Sequence, residues 1–302
     1  MHILITGGTG LIGRALCQHW HAQDHQLTVW SRQPQQVAGL CSGATGVADL
    51  DEIATLQPSR PIDAVVNLAG APIADRPWTR SRRDLLWRSR IDLSRTLVDW
   101  MARQPQPPPL LLSASAVGWY GDQGEQELDE DSVPTAQDFG SRLCMAWEQE
   151  ALRAADQGTR VVLLRIAPVL APQGGMLARL LWPFRLGLGG RLGSGRQWMP
   201  WVHWQDLVGM FDHLLLHPDS HGPYNACAPQ LVRNADFTRA LAQTLHRPAL
   251  LPAPAWALRL LLGEMSTLLL GGQRLVPRRL QEAGYRWQHP ELGPALQHVL
   301  KP

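Results

Sequence analysis

The stretch Met1–Gly13, MHILITGGTGLIG, decides how the rest of the chain is read. Ile3, Leu4 and Ile5 make a short buried strand, Thr6–Gly13 (TGGTGLIG) a glycine turn, and a helical pattern starts at Leu11. Gly7 must turn sharply, Gly10 must let a ligand approach the backbone, and Gly13 must let helix and strand press together. The free N–H groups around Thr9, Gly10, Leu11 and Ile12 then offer phosphate oxygens a helix N-terminus whose dipole favours negative charge. A dinucleotide with paired phosphates is the ligand this corner predicts.

Bulk properties bound the class. At 302 residues the chain can hold one large domain carrying a lobe. A net charge of +2, with 18% charged residues, gives no reason to invoke nucleic acid or a membrane as partner. Cys17, Cys41, Cys144 and Cys227 show no CxxC spacing, so reduced thiols and a cytoplasmic location are expected. The apolar run Trp256–Gly272 is broken by Arg259, Gly263 and Glu264 and reads as a core helix.

After the first helix, Gln26–Arg32 (QLTVWSR) alternates as a second strand and ends on Ser31 and Arg32. An acid about 20 residues past the glycines suits a free ribose 2′-hydroxyl, and Arg suits a 2′-phosphate. Arg32 stands there, and one charge-assisted bond, roughly 1.5–3 kcal/mol, sways preference about ten- to a hundredfold toward NADP(H). A third strand ends near Val47-Ala48-Asp49-Leu50, and the fourth is Asp63–Gly70, whose Ala64-Val65-Val66 run fits a strand buried on both faces. Cofactors meet the carboxyl ends of such strands, which assigns Asp49 and Leu50 to the adenine and Leu68, Ala69 and Gly70 to a ribose.

In order, TGGTGLIG, Arg32, NLAG, SASAVGWYG (113–121), LRIAPVLAP (164–172) and VHWQDL (202–207) resemble an extended short-chain dehydrogenase/reductase. PIADRPWT (72–79), SRIDLSRTLV (89–98), GLGGRLGSGRQWMPWVH (187–203) and GGQRLVPRRL (271–280) resemble its branch called epimerase family proteins. The resemblance implies an α/β fold: a doubly wound parallel sheet (Rossmann fold) with a smaller C-terminal α+β substrate lobe. Residues 1–173, with about 202–220, would form the NADP-binding domain, and 174–201 and 221–302 the lobe.

Family roles carry over position by position. Ser115 would polarise a substrate oxygen, Ser113 would share its strand end, and Tyr120 would line the pocket or supply a proton. Arg90, where relatives place Asn, suits cofactor phosphates or a substrate carboxylate. Relatives carry YxxxK at the start of a long helix; Phe139–Glu148 (FGSRLCMAWE) puts Phe139 near the Tyr and Arg142 near the ribose-holding Lys. Phe has no proton to give, and a lost general acid or base costs ~10²–10⁴ in rate. Ala167 and Val169 would hold the nicotinamide carboxamide through their backbone.

Elsewhere, 78–101 reads as one helix, Asp206 as the N-cap of helix 207–217, His203 as a structural hydrogen-bonding group, and Gly222–Asn225 as a strand of the lobe. Residues 276–300 read as helix, short strand, helix. His21/His25 and His213/His217 lack a third ligand, so no metal is expected, and GxSxG is absent, so Ser115, His203 and Asp206 make no hydrolase triad. Two functions remain: an NADP(H)-dependent oxidoreductase or epimerase-like enzyme on an unknown small molecule, or an NADPH-binding sensor without turnover. Relatives often dimerise through helices matching about 80–102 and 139–156; a homodimer is what the resemblance implies, and the residues do not decide it.

Overall fold

The computed structural model describes residues 1–53, 61–135 and 137–301. In chain order the elements are β1 (His2–Thr6), α1 (Leu11–His21), β2 (Gln26–Trp30), α2 (Val37–Leu40), β3 (Ala44–Val47), β4 (Ala64–Asn67), α3 (Arg80–Arg88) and α4 (Ile91–Ala102). Next come β5 (Leu110–Ala116), β6 (Glu127–Leu128), α5 (Phe139–Leu152), β7 (Arg160–Ile166), β8 (Val169–Leu170), α6 (Leu177–Arg185), β9 (Val202–His203) and α7 (Trp204–Leu216). The chain closes with β10 (Gly222–Ala226), α8 (Asn234–Leu245), α9 (Ala255–Leu262), α10 (Thr267–Leu270), β11 (Arg274–Leu275), α11 (Arg278–Glu282) and α12 (Leu292–Leu300).

Seven strands form one parallel sheet in the order β10-β7-β5-β4-β1-β2-β3. Successive side chains leave opposite faces of a strand, and both faces here are apolar. Ile3, Ile5, Val66, Leu112 and Leu164 join a core with α1 and α7, whereas Leu4, Val65, Leu111 and Leu163 join one with α4 and α5. That double burial explains the unbroken apolar runs. Chain order reverses between β1 and β4, the switch point where such sheets bind ligands. A third core, built on Leu177, Phe184, Trp201, Phe237, Leu241 and Leu296, holds α6, α8 and α12 together as the C-terminal lobe.

Five readings are corrected. The helix expected over 78–101 breaks at Ser89-Arg90, because both side chains take up the Leu86 carbonyl and so end α3. The α7 cap is His203, whose Nδ1 accepts from the Gln205 N–H (3.1 Å). Asp206 is buried inside that first turn and accepts from the N–H groups of Gln288 (2.6 Å) and His289 (3.0 Å). Gly222–Ala226 belongs to the main sheet, beside β7, and no strand separates α11 from α12; the short strand is β11, paired with β6 ahead of α11. Finally, 256–272 is no core helix: α9 buries none of its residues fully.

Candidate functional site

The glycine corner has the shape its composition demands. Gly7 adopts φ +69°, and a Cβ there would stand 2.8 Å from the Leu68 carbonyl carbon; one on Gly13 would stand 2.4 Å from the Gly7 oxygen. The Thr6 hydroxyl accepts from the N–H groups of Leu68 and Ala69 (3.2 Å each), tying the ends of β1 and β4. Gly10 caps α1 without a side chain, so the N–H groups of Leu11 and Ile12 have no partner in the helix. Leu11 reaches toward Gly174, which brings the start of the lobe over this corner. Thus Gly7, Thr9, Gly10, Leu11 and Ile12 converge with Leu68, Ala69 and Gly70.

Ser31 and Arg32 follow the end of β2. The Ser31 hydroxyl accepts from the Gln33 N–H (3.1 Å). Arg32 is exposed and forms no ion pair or hydrogen bond with the described residues. Asp49 is exposed beyond β3, but the Leu50 side chain is buried in the α4-side core and can offer a ligand only its backbone.

The two expected catalytic hydroxyls turn inward. Ser115 donates to Glu148 Oε1 (2.6 Å); Arg165 grips both oxygens of the same carboxylate (2.9 Å each) and donates to the Tyr120 oxygen (2.9 Å). Tyr120 has no exposed surface and donates to Asn225 Oδ1 (2.7 Å), and burial holds its phenol well above the ordinary value. Ser113, also without exposed surface, accepts from the Asn67 amide (3.3 Å) and serves the sheet. Arg165 was the missed signal: a guanidinium in an apolar parallel strand requires a buried carboxylate, and Glu148 supplies it.

Helix α5 carries Phe139 and Arg142, the positions expected for acid and base. Arg142 is exposed and donates to the Gln137 carbonyl (2.9 Å), away from the strand ends. The α5 side chain that meets β5 is Glu148, through Ser115; Cys144, one turn earlier, is buried, and its Sγ lies 3.9 Å from where a Gly118 Cβ would stand. Burial pushes the Cys144 thiol up to about 12. Phe139 packs edge-on to Trp78 at 5.2 Å. Arg90 has no carboxylate partner: it donates to the Ala71 carbonyl (3.0 Å) and stacks on Trp147 (5.2 Å), holding the 70–71 loop against α4. The Ala167 N–H is occupied by the Ala226 carbonyl (3.1 Å), while half-buried Val169 pairs with Val202.

Between the sheet and the lobe lies a cleft of about 320 Å³, walled by Val117, Pro168, Met176, Trp198 and Met199. Among the described residues Arg259 of α9 is the one cation in its lining, which also holds Asp122 and Asp138. Sequence reasoning missed Arg259 because it lies in the run read as core. Outside the lining of this cleft, His203, His289 and His298 place ring nitrogens within 4.8 Å of one another. The cap bond fixes the proton of neutral His203 on Nε2, toward His298 Nδ1 (3.1 Å), so a metal there would have to displace the cap.

Comparison with known proteins fits this architecture. The model of the NAD dependent epimerase/dehydratase family matches residues 3–227, and one described as a domain of unknown function (DUF1731) matches residues 253–299. Epimerase family protein SDR39U1 of Bos taurus is 40% identical over 99% of this chain and 100% of its own length. The crystal structure of the human epimerase family protein SDR39U1 (isoform 2) with NADPH superposes with a TM-score of 0.89 at 37% identity, covering 99% of both chains. The nucleoside-diphosphate sugar epimerase of Corynebacterium glutamicum, 28% identical, reaches 0.77 over 99% of this chain and 58% of its own. With the glycine corner, the switch point and the lobe all in place, the chain belongs to the NAD dependent epimerase/dehydratase family.

Proposed function

We propose that this chain binds NADPH across the carboxyl ends of β1, β2 and β4 and is an oxidoreductase or epimerase-like enzyme on a small molecule held in the cleft beneath α9. The observation that carries the reading is the uncapped N-terminus of α1 together with Arg32, which has no partner among the described residues: the first suits a pyrophosphate, the second a 2′-phosphate. The NADPH in the 37%-identical human structure supports it. When bound, the nicotinamide supplies or accepts hydride at a substrate carbon. The proton for the substrate oxygen comes from water or the substrate, because Ser115 and Tyr120 are engaged with Glu148, Arg165 and Asn225. Arg259 orients an anionic substrate against the apolar wall of Met176, Trp198 and Met199.

A second reading, an NADPH sensor without turnover, is favoured by the same inward-facing hydroxyls. NADPH oxidation screened against carbonyl compounds and nucleotide sugars separates the two. Turnover that survives Ser115→Ala supports the enzyme, while tight NADPH binding with no turnover selects the sensor. Arg32→Asp is expected to move the NADPH:NADH affinity ratio about ten- to a hundredfold toward NADH; fluorescence titration with both cofactors reads it, and an unchanged ratio rejects the assignment.

A further inference from the structure

Large apolar side chains facing solvent are unevenly spread. Among the described residues, those more than half exposed, Val133 and Leu216 apart, all lie in two segments of the lobe, 182–188 and 250–261. The segments are joined in space: the Leu251 N–H donates to the Gly189 carbonyl (3.3 Å) and the Ala253 N–H to the Arg191 carbonyl (2.9 Å). That pairing sets Leu186 and Leu188 beside Leu250, which is 80% exposed, and Leu251. Trp182, 72% exposed, stands one turn ahead of Leu186 on α6. So large a display of apolar surface marks a contact site.

Charge identifies what it contacts. Residues 174–205 hold Arg179, Arg185, Arg191 and Arg196, and residues 237–263 hold Arg239, Arg247 and Arg259; neither stretch contains Asp or Glu. Arg191, Arg239 and Arg247 line a groove of about 860 Å³ next to Leu250, and among the described residues only Arg239 of the three has an ion-pair partner, Asp236 (2.9 Å). The net charge of +2 conceals this excess of arginine around the groove. A mixed-charge protein partner would find only Asp236, already paired with Arg239, for its own cations. A lipid surface requires only negative headgroups above an apolar layer.

We propose that this face of the lobe docks on an anionic lipid bilayer, with Leu186, Leu188, Leu250 and Leu251 entering the acyl boundary and Trp182 at headgroup level. Arg191 and Arg247 meet the headgroup phosphates. The arrangement is that of an interfacial anchor: apolar tips combined with guanidinium groups long enough to reach the water layer. No described helix is long and apolar enough to cross a membrane, so attachment is to one leaflet.

The test is co-sedimentation of the full chain with extruded vesicles of phosphatidylcholine alone and of phosphatidylcholine mixed equally with phosphatidylglycerol. Binding is expected to the mixed vesicles only and to fade with added salt. Leu250→Ser with Leu251→Ser should abolish it. Arg191→Glu or Arg247→Glu should each weaken it about fivefold or more, the value of one charge at an anionic surface. These side chains are exposed, so circular dichroism melts should match the parent. Failure to sediment with mixed vesicles, or equal binding to neutral ones, overturns the proposal. So does a dimer, seen by light scattering, that Leu250→Ser with Leu251→Ser dissociates, since a second copy would then cover the face.

Discussion

His203 shows how one side chain ties local structure to solution behaviour. It caps α7, and burial together with the neighbouring His289 and His298 pushes its imidazole down to about 3. The unfolded chain therefore binds a proton between pH 6.5 and about 3 that the folded chain refuses, so stability is full above that window and falls as pH drops through it. Each unit of acidification there costs about 1.4 kcal/mol. Melting temperatures from pH 7 to 4 should show a steep decline, flattened by His203→Asn, which keeps a capping oxygen without a titrating ring; parallel slopes would refute this. Arg165 acts through its partner. Arg165→Leu strands the buried Glu148 carboxylate and should cost ~3–5 kcal/mol in urea unfolding. The sequence shows an arginine within an apolar strand; that Glu148, Tyr120 and Ser115 all meet it depends on how α5 lies on the sheet.

At the scale of elements, α1 and the glycine turn behave as one object. Gly13→Ala would place a methyl group against the backbone of Gly7 and Gly8, so the helix must move off the turn. We expect lower stability and, more tellingly, loss of NADPH binding at temperatures where the variant remains folded; retained affinity would mean the corner is no cradle. The α3–α4 break follows the same logic. Helical periodicity runs unbroken across 78–101, because apolar spacing records which face is buried and is blind to a carbonyl captured by Ser89 and Arg90. Arg90→Ala should release the 70–71 loop, at a cost of about 1–3 kcal/mol for the bonds to two carbonyls. Asp206 was misread for a related reason. An acid beside a helix start suits a cap, yet its partners come from residues 288 and 289, far along the chain.

For the whole molecule, the lobe closes over the sheet through contacts distant in sequence: Arg179 of α6 with the Ala74 carbonyl, Arg83 of α3 with Glu264, and Leu11 of α1 with Gly174. A ligand that binds only this closed form stabilises it by mass action, about 2.7 kcal/mol at a hundredfold excess over Kd. NADPH should therefore raise the melting temperature of the full chain more than NADH does, and equal shifts would count against the cofactor preference. The sequence by itself determined the sheet, the glycine corner and the family, since these are written locally: apolar strands buried on both faces, glycines where no Cβ fits, and motifs in a set order. Tertiary structure alone decided which hydroxyls turn inward, that Glu148 rather than Arg142 meets β5, and that Trp256, Leu260 and Leu261 of α9 face solvent while Met265 is buried. Those outcomes turn on the rotation of one packed element against another, which residue spacing along a single chain does not encode.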